Sequence, residues 1–86
     1  MDEQTFQSEL DRAKTMQGIA KEPIEADYWD GYQRGLRRLF HGERFGTVRQ
    51  HALWLSFSND ANESKAARGR GYRDGLRFGE ETPATT

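Results

Sequence analysis

GYQRGLRR (residues 31–38) and GYRDGLRF (residues 71–78) share the pattern Gly-Tyr-x-x-Gly-Leu-Arg, set forty positions apart in a chain of 86 residues. Each copy lies in a stretch whose apolar residues recur with helical spacing, so each puts two glycines inside a helix. A helix-interior glycine costs about 1 kcal/mol relative to alanine, so Gly31, Gly35, Gly71 and Gly75 together cost roughly 4 kcal/mol. Typical domains are stable by only about 5–15 kcal/mol, so something must offset that loss. Glycines four residues apart share a helix face and strip two side chains from it, which lets another backbone come close. The repeat therefore predicts two helical hairpins related by an approximate two-fold, meeting through Gly-xxx-Gly faces built from Gly31, Gly35, Tyr32 and Leu36 and from Gly71, Gly75, Tyr72 and Leu76. Chance similarity between two Arg/Gly-rich helices is the alternative.

Outward from the repeats, the chain reads as all-α with four helices. Phe6, Leu10, Ala13 and Gln17 form a thin stripe on a first helix over residues 3–21, with Met16 and Ala20 beside it; Gly18 and Pro23 end it. Pro23 suits the first turn of a second helix. Ile24, Tyr28, Tyr32, Leu36 and Phe40 are its apolar stripe, with Trp29 and Leu39 on the flank, and Gly42 is its stop. Thr47 and Gln50 have capping-box spacing and open a third helix, on which Val48, Ala52 and Leu55 share the expected apolar face with Trp54 and His51 adjacent; the short apolar run also admits a strand, but its length and cap favour a helix. Asp60 and Glu63 repeat that spacing and open a fourth helix over residues 61–78, with Ala61, Ala67, Gly71 and Gly75 facing the core and Gly79 as its stop. Residues 1–79 are thus one helical domain, and 80–86 a polar tail expected to be disordered.

Composition narrows the function classes. Mean hydropathy is −1.03 and apolar content 34 %, so the core is lean and a second subunit would help it. There is no cysteine, which removes disulfides and thiolate metal sites and fits a reducing cytoplasm. No apolar run approaches the roughly 18 residues of a membrane span, so no membrane role is expected. The acidic start MDEQTFQSEL lacks a signal-peptide pattern.

The net charge of −1 hides an asymmetry: residues 1–30 hold eight acids against three bases, whereas residues 31–79 hold ten bases, nine of them arginine, against four acids. Arg34, Arg37, Arg38 and His41 share one helix side at i, i+3, i+4 and i+7, and Arg70, Arg73 and Arg77 do the same in the second copy, near Arg68. If the repeats meet, the two rows can merge into one basic surface able to pair with phosphate or carboxylate. Trp29, Trp54 and Tyr28 are candidate stacking partners. The competing reading is internal neutralisation by the acids of the first thirty residues. A further alternative offers Glu3, Glu9, Asp11, Glu22, Glu25, Asp27 and Asp30 to a basic groove on a partner. Catalysis finds no support: the serines stand in no nucleophile motif, no phosphate-binding loop is present, and His41, Glu43 and His51 lack metal-ligand spacing. No cofactor is expected.

The run Tyr28-Trp29-x-Gly31-Tyr32-x-x-Gly35-Leu36-Arg37-Arg38-x-x-His41-Gly42-x-x-Phe45-Gly46-Thr47, with Gly-Tyr-x-x-Gly-Leu again at 71–76, resembles short proteins of bacterial mobile elements and prophages. Proteins of this size and setting include anti-CRISPR proteins, most of which bind a CRISPR effector and block its working surface. The resemblance implies a non-enzymatic inhibitor or adaptor in the host cytoplasm, docking on a host nucleoprotein complex. It transfers no residue roles. The interface expected from the residues themselves is Arg34, Arg37, Arg38, Arg70, Arg73, Arg77 and Trp29. A small DNA- or RNA-binding regulator using the same arginines and a structural homodimer are the other readings; the sequence pI near 6.1 disfavours the first of these.

Overall fold

The computed structural model describes residues 1–80; residues 81–86 of the expected tail lie outside the described residues. Four helices follow in order: α1 (Glu3–Ile19), α2 (Pro23–His41), α3 (Val48–Ser56) and α4 (Glu63–Leu76). Short 3-10 turns, Gly42–Arg44 and Phe57–Asn59, flank α3. Among the described residues no strand forms, so the fold is the all-α four-helix domain expected from the repeats.

The helix ends follow local chemistry. Asp2 caps α1, its carboxylate accepting from Thr5 N at 2.7 Å. Pro23 opens α2, and Gly42 ends it in a left-handed conformation at φ +67°. Thr47 caps α3 through a reciprocal box with Gln50. At α4 the expected Asp60–Glu63 box is replaced: Asn62 is the cap and accepts from Lys65 N, while Asp60 accepts from Asn62 N in the loop just before. Asp60 and Asn62, two positions apart, are both able to cap and both have extended backbone, and the one directly before the first helical residue wins.

The centre of the molecule is the α2–α4 seam. A methyl group added at Gly31 would come closer than 3.0 Å to the Arg68 carbonyl oxygen, and one at Gly35 would do the same to Tyr72. Reciprocally, Gly71 lies against the Tyr28 carbonyl and Gly75 against that of Tyr32. Matched positions rise together, 31 with 68 and 35 with 72, so α2 and α4 run parallel. Residue 68 is also residue 28 shifted by the same forty positions that separate the repeats. The pair therefore obeys an approximate two-fold running along its own axis. Backbone lies on backbone because no side chain stands between, and the contact that this permits offsets the helix-weakening of four glycines.

Parallel helices cannot be joined by a tight turn, and α3 with its two 3-10 turns supplies the return. α1 instead runs antiparallel to α2: Phe6 stacks on Phe40 with centroids 4.3 Å apart, and Arg12 sits over the Trp29 ring. The apolar core is Phe6, Leu10 and Leu36, with Phe40 and Phe78 packed against it. Ala13 and Ala67 are fully buried, and Leu76 is half-buried.

The expected face of α3 is corrected. Val48 is 73 % exposed, and Ala52 and Leu55 also face solvent; His51 and Trp54, with Phe57 just beyond, turn inward instead. Ala61, expected in the core, is exposed and precedes α4. The inward residues are larger and flatter than Val48 and Ala52, and they cover Tyr72 and the backbone at Gly69, where a methyl group would strike Phe57 and Ser58.

Candidate functional site

The cationic side chains form separate sets. α2 meets α4 through Tyr28, Gly31, Tyr32 and Gly35, and α4 answers with Arg68, Gly71, Tyr72 and Gly75. At 100° per residue, Arg37 lies on the side of α2 opposite this contact, and Arg70 and Arg77 on the side of α4 opposite it. Two facing helices turn those sides away from each other, so the two rows do not merge into the single plate expected from the sequence.

The α2 row is partly engaged within the fold. Arg34 lies over the Trp54 ring at 4.7 Å and stands 3.9 Å from Asp30. Arg38 donates to the Phe45 carbonyl at 3.1 Å. Trp29 packs edge-on against Tyr28 and Tyr32 and lies beneath Arg12, which makes it part of the α1–α2 packing. Arg68 bridges α4 to α2, reaching Asp27 at 2.9 Å and Asp30 at 3.3 Å. The acids of the first thirty residues thus do neutralise some of the bases, as the internal-pairing reading held. Ser64 adds a hydrogen bond to Asp27 at 2.6 Å.

The α4 row is different. Arg70, Arg73 and Arg77 are exposed, and among the described residues none of them has an ion-pair partner. Arg73 and Arg77 are separated by one helical turn, with Arg70 a turn before Arg73, so the three guanidinium groups share an outward edge.

Sequence reasoning missed the polar groups that clamp the seam. Glu9 is buried and accepts from the Tyr32 hydroxyl and, in a fork, from Arg12 at 2.7 and 3.0 Å. The Arg12 hydrogen bonds hold the Glu9 carboxyl below the ordinary carboxylate range, against the opposing effect of burial. Burial, then the Glu9 hydrogen bond, push the Tyr32 phenol up. The equivalent hydroxyl of Tyr72 instead shares a 2.7 Å hydrogen bond with His51 Nδ1, and burial with the nearby Arg38 charge lowers His51. Tyr28 donates to Asp74 at 2.6 Å across the seam. Gln33 donates to Gln17 at 2.6 Å between α1 and α2. Glu9 stands on the same stripe side as Phe6 and Ala13, which was the available signal that it points inward.

His41, the other histidine weighed as a ligand, lies against the Phe6 and Phe40 rings. No helix among the described residues is long and apolar enough to cross a membrane. No protein-family model, no curated protein and no solved structure matches the chain.

Proposed function

We propose that this chain is a non-enzymatic binding protein that docks the cationic edge of α4 on an acidic surface of a partner protein or nucleoprotein complex. The observation that carries the reading is the state of its arginines. Arg12 and Arg68 are held by carboxylates of the same molecule and Arg34 makes one long contact to Asp30 at 3.9 Å, whereas Arg70, Arg73 and Arg77, grouped along one edge, stand exposed without an ion pair among the described residues. An unpaired arginine keeps its planar fork of donors for a bidentate partner. The specific form, implied by the resemblance to mobile-element proteins, is an inhibitor that occludes a host nucleoprotein effector in the anti-CRISPR manner.

The test is a capture experiment from a bacterial host carrying such an effector, with wild-type bait and the double variant Arg73→Glu, Arg77→Glu. Circular dichroism should report unchanged helicity, since neither side chain packs, and the effector complex should be lost. Capture that survives the reversal discards the α4 edge. Direct nucleic-acid binding through the same arginines separates by salt: it predicts a mobility shift at low salt whose affinity falls with a slope near −0.9 per neutralised duplex phosphate.

A further inference from the structure

The two tyrosines of the repeat, Tyr32 and Tyr72, each lie beside a tryptophan covered by an arginine, although the tryptophan comes from α2 itself beside Tyr32 and from α3 beside Tyr72. In the first half Tyr32 lies 5.1 Å from Trp29, Arg12 covers that tryptophan at 5.4 Å, and the Glu9 carboxylate takes the Tyr32 hydroxyl and the Arg12 fork. In the second half Tyr72 lies 5.7 Å from Trp54 and Arg34 covers that tryptophan at 4.7 Å. Beside these rings lies a recess of about 60 Å³, lined by Arg34, Phe45, Gln50, His51, Trp54 and Tyr72. A water needs roughly 10–15 Å³ of such space, so the recess holds several waters or one carboxylate group, with any ring attached to it lying outside.

The polar groups around it match one kind of ligand. Arg34 has only a long contact to Asp30, at 3.9 Å, and keeps most of its donors. Gln50 spends its side-chain oxygen on Thr47 N at 2.9 Å, which leaves its amide nitrogen to donate. His51 spends Nδ1 on Tyr72, which leaves Nε2. When the Tyr72 hydroxyl donates to Nδ1, that Nε2 carries the proton, and the free groups of the rim are all donors between aromatic walls. We propose that this recess is a binding site for a small carboxylate, lying along the Trp54 and Tyr72 edges and gripped by Arg34, as the Glu9 carboxylate lies at the Tyr32 hydroxyl and is gripped by Arg12. The site is separate from the α4 edge and does not depend on it.

Benzoate is the probe, with benzamide as its neutral counterpart, inorganic phosphate as the tetrahedral anion, and a short peptide carrying one Glu as the polypeptide source. Binding is read by the indole signal of Trp54 and the ring signals of His51 in two-dimensional NMR. Benzoate should shift both and bind at least about tenfold more tightly than benzamide, the scale of one charge-assisted hydrogen bond. Arg34→Gln should abolish that preference, while Arg70→Gln should leave it intact. A bound carboxylate should also raise the His51 titration midpoint, working against the charges of Arg34 and Arg38 and beside Tyr72 and Asp30. A Glu peptide that binds where benzoate does not keeps the carboxylate chemistry and assigns its source to a polypeptide. Equal binding of benzoate and benzamide, phosphate binding as tight as benzoate, an Arg34→Gln protein that keeps the preference, or no shift with any carboxylate would each overturn the assignment.

Discussion

α1 and α3 occupy equivalent places, one on each half of the pseudo-symmetric pair, yet they do the work differently. α1 has seventeen residues and buries Phe6, Leu10, Ala13 and Glu9; α3 has nine and buries no side chain fully. α1 builds the apolar core, whereas α3 lays half-buried aromatic rings over α4 and leaves an aliphatic strip in solvent. The difference teaches that the seam between α2 and α4 carries the two-fold, and that the outer helices are free to diverge once the seam is set. One outer layer became core, and the other became a surface with a recess.

The comparison breaks most sharply at the seam itself. Gly31→Ala and Gly71→Ala each put a methyl group into the opposite backbone, so each should destabilise by about 3 kcal/mol or more despite the better helix propensity of alanine. Their effects should be similar, because the two sites are related by the two-fold, and the double variant should not fold. Gly18→Ala meets nothing within 4 Å and should be neutral or stabilising by about 0.5–1 kcal/mol. Urea denaturation followed by circular dichroism measures all of these; a Gly71→Ala protein as stable as wild type would refute the close approach.

Next come the outer helices. Leu10→Ala removes a core side chain and should cost about 3 kcal/mol in the same assay. If the halves contributed alike to the core, Leu55→Ala would cost as much, but Leu55 faces solvent and its truncation should stay within about 0.5 kcal/mol.

The polar clamps on the two tyrosines separate by pH. Glu9 has a lowered carboxyl, so its contribution is complete above the ordinary glutamate value of about 4.3 and is lost as pH falls through its lower folded value. His51 is also lowered, so the fold favours its neutral form. That stability is present above about 6.5, the unperturbed histidine value, and declines as pH falls from there toward the lower folded value. Stability measured against pH should therefore fall in two steps. His51→Gln should erase only the step below about 6.5, and Glu9→Gln only the more acidic one. Glu9→Gln should cost about 2 kcal/mol at neutral pH, the scale of a hydrogen bond to a charged group. The smallest effect should come from Val48→Ser on the solvent side of α3, within about 0.5 kcal/mol. A larger loss there, growing with protein concentration, would mean that the strip is covered by a second copy.

Much of this was readable from residue spacing. The matched Gly-Tyr-x-x-Gly-Leu pairs state that two helices approach with bare backbone, since no other use of four interior glycines offsets their cost. Pro23, Gly42 and Thr47–Gln50 mark ends because proline, left-handed glycine and capping side chains act over three or four residues, whereas α4 stops at Leu76, three residues short of Gly79. The Phe6, Leu10, Ala13 stripe likewise belongs to a single helix and its nearest neighbour. All these features depend on contacts within a few turns.

Other features depended on which helix lies beside which. Spacing alone put Val48, Ala52 and Leu55 on one face of α3 but could not say that His51 and Trp54 would face inward, because a nine-residue helix carries two plausible faces and its neighbours choose. The arginines were countable in the sequence, yet their sorting into bases held by Asp27, Asp30 and Glu9 and an α4 edge without ion pairs among the described residues required the helix directions. A parallel pair turns its two outer sides apart, and no local pattern encodes that. The Tyr32–Glu9 and Tyr72–His51 clamps join residues 23 and 21 positions apart. Sequence by itself determined the helices and the bare faces by which two of them meet; the tertiary arrangement decided which charges remain free, because charge pairing is a matter of distance in space.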